Sequence, residues 1–93
     1  HDVVRANLIA SEHANAPGKI FNVCTGIETR LLDLLDVMYE LIPNSPPPQF
    51  VTPRAGDIYR SVGSPQKARY ELGFQAEFSL VDGLKETIDW MRA

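Results

Sequence analysis

An α/β chain of α+β-like character, with four helices and two or three short strands in the order α-β-α-β-α-α, is the fold that the sequence predicts. Three observations carry this expectation. Apolar residues recur at helical spacing in "RLLDLLDVMYELI" (30–42), and strand formers alternate in "KIFNVC" (19–24). Cap and stop residues bracket two further helices towards the C-terminus.

The elements follow in order. Residues 2–13 read as a helix that Asp2 is placed to cap, with apolar Val3, Val4, Ala6, Leu8 and Ala10 within it. "NAPGK" is a turn, and "KIFNVC" is the first short strand. "TGIET" then breaks the chain, and Glu28 or Thr29 precedes the clearest helix. There Leu31, Leu34, Leu35, Met38, Leu41 and Ile42 share a stripe as core or interface, and Asp33, Asp36 and Glu40 line the other face. Pro43 ends it. "QFVT" (49–52) is a second strand. Ser64 and Pro65 form a cap and a first helical position, and the helix they start stops at Gly73 in a left-handed cap. Ser79 with Asp82 resembles a capping box opening the last helix, in which Leu84, Ile88 and Met91 form a stripe beside Val81 and Trp90.

Composition narrows the function classes. The 93 residues suffice for one small domain, with 44% apolar and 23% charged residues. A formal net charge of −3 argues against a general nucleic-acid binder, which needs a basic stripe to neutralise phosphates. One cysteine, Cys24, excludes an internal disulfide and a cysteine-based zinc site, and fits a reducing, cytoplasmic compartment. It reads as a small buried apolar group, and His13 as a surface residue. No apolar run reaches the roughly 20 residues of a membrane span. The chain opens at "HDVVRANLIA" without methionine and inside a helix, so a fragment of a longer protein is expected.

The six glycines form neither a dinucleotide fingerprint nor a P-loop, and no tyrosine is followed four positions later by lysine. No catalytic, cofactor-binding or metal-ligating residue is therefore assigned. "PRAGDIYRS" (53–61) is the segment with chemistry. Arginine offers a planar fork of donors suited to phosphate oxygens. Asp57 can accept hydrogen bonds from vicinal hydroxyls, and Gly56 lets backbone approach a ligand. Physics alone favours a plainer account, in which Arg54 and Asp57 form a surface ion pair across a turn.

Five segments, "DVVRAN", "GKIFNVCTG", "RAGDIYRS", "QKARYELGF" and "SLVDGLKETIDW", occur in an order that resembles the C-terminal part of extended short-chain dehydrogenase/reductases. The nearest likeness is to the NAD-dependent epimerase/dehydratase family and its UDP-glucose and UDP-N-acetylglucosamine 4-epimerases. The resemblance covers nearly all 93 residues. It departs at Cys24, where glycine is common, and at Ser64, where aspartate is common.

The resemblance implies a single nucleotide-sugar-binding part, residues 1–93, of an enzyme whose NAD-binding Rossmann domain and Tyr-x-x-x-Lys pair lie outside this chain. It implies that Arg54 holds the pyrophosphate of a nucleotide-diphosphate sugar and that Asp57 meets the ribose. With it, the clamp is the reading carried forward. NAD would belong to the parent enzyme, and the chain alone would be inactive. A dehydratase, reductase or decarboxylase of the same superfamily, or a stand-alone interaction module without ligand, are the alternatives. A face cut away from the Rossmann domain would be exposed, with Val3, Val4 and Leu8 expected to promote self-association.

Overall fold

The computed structural model describes residues 1–93. Helix α1 spans Asp2–Glu12, α2 Leu31–Leu41, α3 Gln66–Leu72 and α4 Leu80–Arg92, and everything between them is loop and turn. All four expected helices are present.

The expected strands are absent, so the α/β order α-β-α-β-α-α is corrected to four helices and no sheet. A strand exists only through a partner, because its backbone donors and acceptors are satisfied by a neighbouring ladder. Residues 19–24 and 49–52 carry the right side chains but pair with nothing. The only hydrogen bond to the backbone of residues 20–24 is from Lys67 Nζ to the Ile20 carbonyl, at 2.9 Å. The chain makes 38 backbone–backbone hydrogen bonds, where a typical chain of this length makes about 65.

A small core sits between α1 and the turn that follows α3. Ala6, Ala68, Leu72 and Phe74 form it, with Ile9, Ala10, Ala16 and Phe21 packed around the edge. Gly73 places Phe74 there. It takes the left-handed conformation (φ 67°, ψ 18°), and two successive N–H groups turn back, Gly73 to the Arg69 carbonyl and Phe74 to that of Ala68. That is the predicted C-terminal cap, and it drives Phe74 into complete burial. Arg5 stacks over its ring at 4.8 Å.

Asp2 does not cap α1. His1 flanks the helix without a side-chain cap, and Asp2 is the first helical residue. Its carboxylate reaches across to the loop before α4, accepting from the N–H groups of Glu77 and Phe78. The Ser79 cap is present: its hydroxyl accepts from the Asp82 N–H at 3.1 Å. The box is not reciprocal, because the Asp82 carboxylate accepts from the Ser79 hydroxyl and does not reach back to its N–H.

Most other apolar positions are not covered. No residue of α2 is buried, so its leucine stripe forms no core within this chain. Val3, Val4, Leu8, Trp90 and Met91 are exposed, and of the α4 stripe only Ile88 is buried. The accessible surface is 7883 Å², whereas a folded monomer of 10.4 kDa exposes about 5,400 Å². The radius of gyration is 16.7 Å, against about 12 Å for a compact domain of this length. These residues fold as a spread scaffold of helices with one small knot of core.

Candidate substrate-anchoring loop

The loop from Pro53 to Pro65 joins the long connection after α2 to the start of α3. At its tip Arg54 to Asp57 close a four-residue turn. The Asp57 N–H donates to the Arg54 carbonyl at 3.2 Å. The Arg54 N–H donates in return to Asp57 Oδ2 at 2.9 Å. Gly56, third in the turn, has φ 87°, and a Cβ added there would touch nothing within 4 Å. The glycine is therefore required by backbone conformation.

The two candidate residues are thus brought together. The Arg54 Nε lies 3.7 Å from Asp57 Oδ1, and the Arg54 side chain is 89% exposed. The rest of its guanidinium faces solvent. Asp57 is half exposed, with Oδ2 engaged by the turn and Oδ1 the oxygen left to accept a further donor. As it stands, the pair has the geometry of the plainer account, a turn closed by its own aspartate. It also presents an arginine fork outward from the turn that these bonds close.

Further along the loop, Arg60 does something that the sequence did not reveal. Its guanidinium grips both carboxylate oxygens of Glu28, Nε to Oε1 and Nη2 to Oε2 at 2.7 Å. Glu28 is remote in sequence, on the loop after Cys24, and no local spacing signals the pairing. The two loops also touch through their small residues. A Cβ added at Gly63 would lie 2.9 Å from Cys24 Sγ, and one at Gly26 would lie 3.0 Å from Pro65 Cδ.

The largest concave surface lies elsewhere. A groove of about 1040 Å³ runs between the N-terminus of α1, residues 74–80 and α4. Neither Arg54 nor Asp57 lines it. Several of its charged groups are already engaged: His1 with Glu86 at 2.7 Å, and Asp2 with the 77–78 backbone. Exposed Ile27, Leu80 and Trp90 give it an open apolar face and not a site with convergent polar groups. No group of three or more histidine, cysteine, aspartate or glutamate side chains is placed to hold a metal ion. No helix is long and apolar enough to cross a membrane.

Comparison with known proteins accords with the sequence reading. Over 91 residues, 98% of this chain, it is 35% identical to a UDP-glucose 4-epimerase of Mycolicibacterium smegmatis. It is 34% identical to a protein of Methanocaldococcus jannaschii that carries the same name provisionally, and 28% identical to a UDP-glucose 4-epimerase of Yersinia enterocolitica. The chain spans less than a third of the length of each. No family model matches, and no solved structure matches. The resemblance to UDP-sugar 4-epimerases read from the sequence is borne out by these relatives.

Proposed function

We propose, from this likeness to UDP-glucose 4-epimerases along 98% of the chain, that residues 1–93 are the C-terminal, nucleotide-anchoring part of a UDP-sugar 4-epimerase. The names of the relatives favour epimerisation over the other reactions of the superfamily. The parent enzyme would oxidise a sugar carbon transiently and return the hydride to the opposite face. NAD would supply that hydride chemistry when bound. The residues of this chain do not fit an NAD site, because they form no strand, no glycine-rich turn and no helix start that would cradle a pyrophosphate. No chemical step is therefore routed through them.

Their part is anchoring. The observation that supports it is the outward-facing Arg54 fork, held on a turn whose other end is Asp57. A diphosphate offers close, charged acceptors that a guanidinium can bridge with charge-assisted hydrogen bonds. Asp57 Oδ1 would take a ribose hydroxyl while Oδ2 keeps the turn closed. Binding the nucleotide in this way contributes orientation and remote binding energy to a reaction that happens at the sugar. The partner surfaces would be the Rossmann part of the same enzyme and the nucleotide-diphosphate sugar, and a cytoplasmic location is proposed with them. Isothermal titration of UDP against the full-length protein and its Arg54→Ala variant tests the assignment. Unchanged UDP affinity in a normally folded variant would reduce the segment to a turn.

A further inference from the structure

We propose that Arg60 and Glu28 are positioning residues that set the direction of the Arg54 turn, a role resting on the anchoring function proposed for Arg54. Three observations meet at this place. First, the contact is a two-point fork between loops far apart in sequence, with Arg60 Nε on Glu28 Oε1 and Nη2 on Oε2. A fork fixes orientation as well as distance, which a single-point contact does not. Second, the same two loops approach too closely at Gly63 and Cys24, and at Gly26 and Pro65, to admit an added Cβ without a shift. Third, Gly26 takes a positive φ of 79°, so the loop bearing Glu28 turns at a residue that only glycine adopts without strain.

Between them these contacts join residues 24–28 to residues 60–65. The Arg54 turn is the free corner that projects from this joint. Nothing else holds it: residues 53–59 make no hydrogen bond to the rest of the chain apart from those within the turn itself. An exposed ion pair adds little to overall stability. Arg60 is 70% exposed and Glu28 39% exposed, so the value of the fork lies in restricting one loop. Without it, the Arg54 corner would have to be ordered each time a nucleotide binds, and that cost appears as lost affinity.

The test is UDP titration and steady-state kinetics on the full-length protein. Arg60→Ala and Glu28→Ala are each expected to weaken UDP binding about two- to tenfold, the cost of ordering one long side chain on binding. The apparent KM for the UDP-sugar should rise with it, and the melting temperature should stay put. Arg60→Lys keeps the charge but not the fork and should fall between. Two readouts separate positioning from a bland structural role. The charge-reversed pair Glu28→Arg with Arg60→Glu should restore affinity, and Arg60→Ala should cost little more in an Arg54→Ala background. If Arg54→Ala weakens UDP binding but Arg60→Ala and Glu28→Ala do not, the strut is overturned and the Arg54 assignment stands. If Arg54→Ala has no effect, both fall together. Additive losses from Arg54→Ala and Arg60→Ala, or no rescue by the reversed pair, also overturn it.

Discussion

The Asp2 carboxylate accepts a hydrogen bond from the backbone N–H of Phe78 at 3.0 Å, tying the first residue of α1 to the loop before α4. The Glu77 N–H and Arg5 Nη2 converge on the same carboxylate. Phe78 is the largest cause holding its pKa below the ordinary value, and the Glu77 and Arg5 bonds add to it against the opposing effect of desolvation. A depressed folded pKa means that the ionised form is favoured by folding. The stabilisation is complete above the unfolded value of about 3.9 and fades as pH falls through the lower folded value. Acid titration followed by the Glu77 and Phe78 amide signals should show the tie releasing below about pH 4. Asp33, held down by Arg30, titrates in the same window. The difference between wild type and Asp2→Asn therefore isolates this contact.

Arg54→Ala should weaken UDP binding about tenfold to a hundredfold, since a charge-assisted hydrogen bond is worth roughly 1.5–3 kcal/mol. Arg54→Lys should recover part of that loss, because an ammonium keeps the charge without the planar fork. Titration calorimetry with UDP reads both.

Asp57 has one oxygen in the turn and one at the surface, so two substitutions separate its roles. An asparagine amide oxygen at this position would still accept from the Arg54 N–H. Asp57→Asn is therefore expected to lower the preference for UDP over its 2′-deoxy analogue while keeping most of the affinity. Asp57→Ala removes the acceptor as well and should lose more for both ligands. Equal affinities of the two variants for both ligands would count against this division.

Gly73→Ala puts a Cβ on a residue at φ 67°, where nothing lies within 4 Å to obstruct it. The cost is conformational alone, about 1–2 kcal/mol for an L-residue in the left-handed region. Urea denaturation of the full-length protein should show that loss without a change in slope.

The isolated 93 residues should not interconvert UDP-glucose and UDP-galactose when NAD is added, because hydride chemistry needs a cofactor site and the sequence carries no dinucleotide fingerprint. They should also self-associate with rising concentration, read by light scattering, through the exposed Val3, Val4, Leu8, Trp90 and Met91. Turnover above background, or a clean monomer at all concentrations, contradicts the respective half of this expectation.

The helices were legible in the sequence because their determinants are local. Ser79 caps α4, Gly73 stops α3, and the spacing of Leu31, Leu34, Leu35 and Met38 sets α2, each within a few residues of where it acts. The Arg54–Asp57 turn was legible for the same reason. The strands at 19–24 and 49–52 were not decided by their residues, since alternation states which side chains suit a sheet and supplies no partner edge. Asp2 was read as a cap because the helix start is local, whereas its actual partners lie at residues 77 and 78. The Glu28–Arg60 fork, the burial of Phe74 and the incomplete burial of the α2 stripe likewise depend on which distant segments meet. Short-range hydrogen bonding and backbone conformation are written in sequence neighbours, and burial and long-range pairing are set only when the tertiary structure brings surfaces together.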